Sequence, residues 1–365
     1  MNIVDIARLA GVSTATVSRV LNHSGKVKEE TRERIQKLID ENNYVPNAIA
    51  RSLCMQDRDS IGVIVPDIGN EFFSDVIQGI TEITGKSIYN ILFFNTDERE
   101  EIEHDYLKVV VSERLKGLLI SPVSDHDDYT AQELERLEKS GIPVVLIDRN
   151  LEGKQFDGAF VKNFDGAYEG VQALINEGHE KIAIITGPVT SLPGKERLHG
   201  YQKALEDHGL TVREEYQVAG NFRINKAYEQ TGYLLSLPDP PTAIFTVNNL
   251  TSLGCLKYLI EHHLKPGKDI AVMGFDSIAA LNIIEYPFST IERDARRQGQ
   301  EAMKLLLEKL ETIDENKNER RDREVNKVFV PYKVVLRGSE KYGIIKLREG
   351  LPNFLRGFRE GFIDF

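Results

Sequence analysis

The chain has 365 residues, 41% hydrophobic and 28% charged, which is too long for one ordinary core and typical of a soluble protein of two or three domains. Two cysteines leave no room for a disulfide framework or a zinc cluster and fit a reducing cytoplasm. The net charge of -11 argues at first sight against nucleic acid, but it is unevenly placed: residues 1–60 carry nine Lys and Arg against eight Asp and Glu, a net of +1, so the other 305 residues carry -12. A near-neutral head with clustered basic residues can bind phosphates while an acidic body is held off DNA. Asp5 and Arg8 interrupt the first apolar stretch and no run of about 18 apolar residues occurs, so neither a secretory signal nor a membrane span is expected.

In chain order, Ile3, Ile6, Ala7 and Ala10 form one helical face, and Gly11 breaks it. Ser13 is a good cap for a helix from Thr14 to Leu21, whose inward face is Val17, Val20 and Leu21. A third helix is expected from Glu29 to Asn42, with Ile35, Leu38 and Ile39 inward and Glu29 and Glu30 in its first turn. Three short helices with one tight turn are the helix-turn-helix plan, although the pattern alone also suits a small three-helix packing domain. On the DNA reading, Thr14 and Ala15 offer methyl contacts to thymine and Arg19 spans to guanine edges. Thr16, Ser18, Asn22, His23 and Lys26 serve as phosphate clamps. The segment from Asn43 to Leu53 ends in an apolar residue among polar and basic ones, a shape that wedges a minor groove and bends the duplex.

From Ile61 onward short apolar strands alternate with helical stretches. Strands are expected at Ile61–Pro66, Asn90–Asn95, Gly117–Ser121, Pro143–Asp148, Gly158–Val161, Ile182–Thr186, Ala243–Val247 and Ile270–Gly274. Helices such as Phe72–Gly85, Glu98–Glu113, Asp165–Glu177, Glu196–His208 and Asn225–Leu237 separate them. Continuous apolar strands with intervening helices mean parallel sheets covered on both faces, here two of them, with a cleft beyond their carboxyl ends. Polar and aromatic residues at those ends make a candidate small-molecule site. Asp148 and Arg149 follow PVVLI, Asp276 follows IAVMGF, Asn248 ends AIFTV, and Arg197 opens a helix after GPVTSLPGKE; Phe73 and Phe222 add aromatic faces. Such a set holds vicinal hydroxyls and packs a ring. No histidine-based triad, zinc spacing or phosphate-gripping loop is apparent, so no enzyme, metal or cofactor is expected. Asp148 and Asp276 posing as a glycosidase pair would leave the head unexplained.

The string DIARLAGVSTATVSRVLN, Asp5 to Asn22, closely resembles the helix-turn-helix of the lactose-repressor/galactose-repressor family of bacterial transcription regulators. The hinge signature Tyr44, Pro46, Asn47, Ala50, Arg51 and Leu53 is also present, and the resemblance continues in pieces to about Ser339. It implies an all-α DNA-binding head with a hinge helix, then an α/β periplasmic-binding-protein-like core of two parallel-sheet lobes. It makes Thr14, Ala15 and Arg19 the base-reading positions and Leu53 the wedge, with hinge residues including Asn47 and Ala50 folding when two copies pair on DNA. It also makes Asp148, Arg197, Asn248 and Asp276 polar contacts to an effector, with Phe73 and Phe222 as walls. The expected organisation is a head at 1–45, hinge at 46–60, core at 61–338 and an extension at 339–365. Lobe one is placed at 61–162 plus 291–323 and lobe two at 163–290 plus 324–338, with crossings near Lys162–Asn163, Ser289–Thr290 and Arg323–Lys327. The expected partners are a near-palindromic double-stranded operator, a sugar or sugar-derivative effector, and a second copy, a tetramer being left open. The main expectation is a repressor released by a sugar inducer; the alternative is a corepressor-dependent repressor or a dual regulator with a non-sugar effector.

Three places depart from the family pattern. Lys28 stands where a capping Ser or Thr is commoner. Asn248–Asn249 replaces the usual Asn-Asp, which either accommodates a more acidic ligand or rewires a local hydrogen bond; Lys195 near Arg197 keeps acidic or phosphorylated sugars in play. The final stretch carries Leu347, Leu351, Phe354, Leu355, Phe358 and Phe362 at helical spacing, interrupted by glycines. This stripe either packs on its own body or makes a subunit contact, without the heptad of a coiled coil. The run Asp314–Glu324 reads as a solvated loop, and Cys54, next to the wedge, as an inert thiol or a crosslink between paired hinges.

Overall fold

The computed structural model describes residues 3–21, 27–42, 60–85, 87–315 and 324–341. Asn22, His23, Lys26, Asn47, Ala50, Leu53, Cys54 and the stripe from Leu347 lie outside the described residues. The chain divides into two compact units, 1–58 and 59–365.

In the head, helices α1 (Ile3–Ala10), α2 (Thr14–Leu21) and α3 (Glu29–Glu41) surround a small core of Ile6, Ala7, Ala10, Val17, Val20, Ile35 and Ile39. The turn between α1 and α2 needs a residue in the left-handed region, and Gly11 supplies it at φ +64°. Ser13 caps α2 by accepting from the Thr16 amide at 3.2 Å. Helix α3 has Lys28 at its cap and no side-chain cap bond. Lys28→Ser is therefore expected to stabilise the head by about 1 kcal/mol, read as a rise in the head's own unfolding transition by calorimetry on the full chain. An unchanged transition would mean that the first turn of α3 already has its donors satisfied.

The second unit contains two six-stranded sheets. The first has the order β11-β5-β4-β3-β1-β2, from Lys327–Phe329, Asp157–Phe160, Val144–Ile147, Gly117–Ile120, Ser60–Val65 and Asn90–Asn95, and all its pairs are parallel. The second has the order β12-β10-β9-β8-β6-β7, from Tyr332–Val335, Ser289–Arg293, Ala271–Phe275, Ala243–Thr246, Ile182–Thr186 and Gln217–Ala219, with only β12 antiparallel. The central strands are buried on both faces because helices cover both, giving each lobe two apolar layers. Helices α4 (Glu71–Thr84) and α12 (Ala295–Glu315) cross on the first sheet close enough that a Cβ at Gly79 would sit 1.9 Å from the Arg296 carbonyl oxygen.

Sheet membership moves two of the expected crossings. The first falls at Val161–Lys162, between β5 and the helix α7 (Asn163–Asn176), close to where it was placed. Strand β10 runs in the second sheet as far as Arg293, so the second crossing is at Asp294 and not at Ser289–Thr290. Strand β11 belongs to the first sheet and β12 to the second, so the third is at Val330–Pro331 and not at Arg323–Lys327. These strands are only three to five residues long, STIER, KVF and YKVV, too short for alternation to show, so pairing with their neighbours defines them. Asp314 and Glu315, read as the start of a loop, end α12.

Ser339 and Glu340 are buried in the second lobe. The Ser339 hydroxyl donates to Val272 O at 2.7 Å, Glu340 accepts from the Ser289 hydroxyl, and the Glu340 carbonyl lies 3.1 Å from His179 Nε2. The extension thus begins by stitching itself to its own body.

Candidate functional site

On the head, Thr14, Ala15 and Arg19 are exposed and Thr16 and Ser18 half-buried, while Val17 and Val20 of the same helix are buried. A helix that buries one face and presents small hydroxylated residues and an arginine on the other is suited to a major groove. The Thr16 hydroxyl lies 3.0 Å from the Ser13 hydroxyl, so it serves the cap of α2 as well as the surface.

In the body, all six predicted effector residues, Phe73, Asp148, Arg197, Phe222, Asn248 and Asp276, line one cleft between the lobes. The same cleft is lined by Arg149, which the sequence places beside Asp148, and by Asp67, Asn70, Phe72, Glu98, Arg223 and Arg293, which it did not reveal.

The two aspartates are placed alike. Asp148 follows β4 and Asp276 follows β9, each in the left-handed region at φ +65° and +69°. Each donates its amide to the neighbouring strand, Asp148 to Ala159 O at 3.0 Å and Asp276 to Ile291 O at 2.8 Å. The bend at the strand end turns both carboxylates into the cleft, and Asp tolerates this backbone better than most residues. Phe222, at φ +53°, is also held in the left-handed region.

Arg293 at the end of β10 ties the two together. Its Nε donates to Asp276 Oδ1 at 2.6 Å and its Nη1 to Asp148 Oδ1, with the guanidinium 3.7 Å above the Phe72 ring. Burial alone would push the Asp148 carboxyl up, but Arg293, Arg197 and Arg149 outweigh it and hold it below the usual range. Burial likewise disfavours the charge on Arg293, and Asp148 and Asp276 more than restore it. Arg197 is less well served. It lies in the second turn of α8 (Leu192–Asp207), which starts earlier than the sequence suggests because Pro193 fits a first turn. Its Nε and Nη2 donate to Asn163 Oδ1 at 3.0 and 2.8 Å and its Nη1 to Val247 O, but its nearest carboxylate, Asp276, is 3.9 Å away. Burial pushes its pKa down to about 10 against the pull of Asp276, and Arg293 adds to the depression. Arg149 forms a forked pair with Glu98 at 2.6 and 2.8 Å.

Three more pairs join the lobes around the rim. Asn249 Nδ2 donates to Asn70 Oδ1 at 2.8 Å, Arg223 Nη2 to Asp97 Oδ1 at 3.1 Å, and Lys195 Nζ to Asp125 at 2.9 and 3.0 Å. Asn249 therefore rewires a local hydrogen bond across the lobes. Its amide donor is what Asn70 requires, since Asn70 Oδ1 already accepts from the Phe72 amide. Lys195 does not line the cleft; its ammonium sits beside Asp125 and His126, in the one group of Asp, His and Glu side chains among the described residues close enough to share an ion. Asn248 caps helix α10 (Asn249–Glu261), accepting from the Thr251 amide at 2.8 Å. The other cysteine, Cys255, is buried, which pushes its thiol up to about 12 and leaves it inert.

A helix-turn-helix head followed by a two-lobed core with a polar cleft defines a ligand-responsive DNA-binding regulator. Residues 2–47 match the family model described as bacterial regulatory proteins of the lacI family, and residues 58–333 match periplasmic binding proteins and the sugar binding domain of the LacI family. The chain belongs to the LacI family of bacterial transcription regulators. The HTH-type transcriptional repressor PurR of Vibrio atlanticus (strain LGP32) is 34% identical over 316 residues, 86% of this chain and 93% of that protein. Among solved structures, the lac repressor dimer bound to operator and the anti-inducer ONPF matches 93% of this chain and 99% of its own, with 25% identity and a TM-score of 0.77. The transcriptional regulator CelR in complex with cellobiose matches the same shares with 26% identity and a TM-score of 0.67. The protein is a ligand-responsive, DNA-binding transcriptional repressor. No helix among the described residues is long and apolar enough to cross a membrane.

Proposed function

We propose that this repressor is corepressor-dependent: a small polar ligand in the cleft tightens operator binding. The observation that carries this reading is the cross-lobe network, in which Asn70–Asn249, Asp97–Arg223, Asp125–Lys195 and Asp148–Arg293 already draw the lobes together. A ligand touching both lobes adds to the same closed arrangement and favours whichever DNA-binding state contains it. Likeness to a lac repressor dimer bound at once to operator and to an anti-inducer supports a small molecule and operator being held by one protein together. The effector residues are Phe73, Asp148, Arg197, Phe222, Asn248 and Asp276, joined by Arg149 and Arg293. The operator is read by Thr14, Ala15 and Arg19 from two copies on a near-palindromic site.

The sugar-released repressor expected from the resemblance is the second reading, favoured by likeness to a cellobiose-bound regulator. Operator duplex selected from a random pool, titrated with full-length protein with and without candidate ligands, separates them. Tightening supports corepression, and release supports induction. In the same assay Leu53→Ala is expected to weaken selected operator about 30-fold or more, the scale of a lost unstacked step, and random duplex hardly at all. Equal loss on both duplexes would remove the wedge role.

A further inference from the structure

We propose that the effector is a small polyhydroxylated carboxylate, of the aldonic- or uronic-acid kind. Its carboxylate is received by Arg197 and Arg293 and its hydroxyls by Asp148 and Asp276. This deepens the ligand-responsive reading of the cleft and rests on it for the identity of the site.

The argument is one of unused donors. Three arginines line the cleft with side chains only 2 to 4% exposed, Arg197, Arg293 and Arg149. A guanidinium carries five N–H donors and accepts nothing. Arg197 spends three of its five on Asn163 and Val247 and none on a carboxylate. Arg149 leaves its buried Nε without a partner. Such donors are costly to leave unmade, and a ligand supplying acceptor oxygens satisfies them.

Position narrows the class. Asp276 lies between two guanidiniums, bonded to Arg293 and 3.9 Å from Arg197. The charges on these four side chains balance, so the site does not call for an ion by net charge. What it lacks is acceptors on the Arg197 side, where the neighbouring Arg293 disfavours the Arg197 charge. A planar carboxylate matches a guanidinium fork. A neutral sugar brings hydroxyls for the free Asp148 oxygen, as the acid does, but no planar pair of acceptors for the Arg197 side. A phosphate dianion would face Asp148, Asp276 and Glu98 in a closed cleft. One carboxylate oxygen remains on Asp148 beyond the one Arg293 uses, enough to receive a hydroxyl, and Phe73 and Phe222 flank the space.

The test is calorimetric titration of the full chain with D-glucuronate, D-galacturonate, D-gluconate and D-galactonate, their neutral parents D-glucose and D-galactose, and D-glucose 6-phosphate. At least one acid is expected to bind tenfold or more tighter than its neutral parent. Arg293→Gln should cut that preference to threefold or less; should this variant fail to fold, Arg293→Lys, which keeps the charge and loses the fork, should keep the preference with weaker binding. Neutral parents binding as tightly, the sugar phosphate binding tighter than every carboxylate, or no binding by any of the acids would each overturn the proposal. Failure of the regulatory reading looks different: an acid binds with the stated preference, yet affinity for the selected operator does not change.

Discussion

Asp276→Asn is expected to lower ligand affinity by about 100-fold and to abolish the ligand response of operator binding, while the fold and ligand-free operator affinity persist. Asp276 sits at φ +69°, a conformation that Asn also tolerates, so the backbone bend survives. The lost element is the charge that Arg293 contacts at 2.6 Å and Arg197 faces at 3.9 Å. Arg293 keeps Asp148 as a partner, which limits the damage to the fold. Asp276→Ala should behave differently. Like asparagine it removes the countercharge, but it also removes the oxygen that Arg293 Nε bonds and puts alanine in the left-handed region, at a cost of about 3–5 kcal/mol. Calorimetric melting and operator titration on both variants separate the two roles. If Asp276→Asn keeps a full ligand response, Asp276 is a structural partner of Arg293 and not a ligand contact.

Glu103→Gln is expected to stabilise the core by up to about 3 kcal/mol at pH 8 and to change little at pH 4.5. Glu103 is fully buried on the first turn of the helix Glu100–Ser112. It accepts from the Val123 amide at 2.8 Å and the Thr130 hydroxyl at 2.7 Å. Burial raises its carboxyl from 4.5 to about 7 in spite of those two bonds; nearby Asp127 adds to the rise and Arg149 opposes it. The folded form therefore holds a proton that the unfolded chain has released between about pH 4.5 and 7. Stability from this group falls as pH rises through that window, and the loss is complete above it. A glutamine can direct its oxygen to the Val123 amide and its NH₂ to Thr130, whose own proton then goes to Asp127 Oδ2, 2.9 Å away. The segment at stake supports the ligand cleft, because the Val123 carbonyl also receives Arg149 Nη1 at 3.2 Å. Urea unfolding at pH 5 and pH 8 checks it; an equal change at both would mean that Glu103 is ionised throughout.

The architecture and the ends of the longer strands follow from residue pattern alone. Gly11 and Ser13 punctuate the head, and runs such as PVVLI and IAVMGF are strands that need two covered faces. Asp148, Asn248 and Asp276 were legible because a polar residue ending such a run must lie at the carboxyl edge of a sheet, where the cleft opens. Arg293 was not, since its strand, STIER, is defined by pairing with β9 and β12 and has little apolar signal of its own. That is also why two lobe crossings were misplaced. Tertiary structure alone decided which charges meet: Arg293 bridges Asp148 and Asp276 across 145 and 17 residues, Asn249 turns to Asn70, and Lys195 leaves the cleft for Asp125. Local periodicity encodes which face of an element is buried. Long-range pairing of buried polar groups depends on how the two lobes come together, and no local pattern carries that.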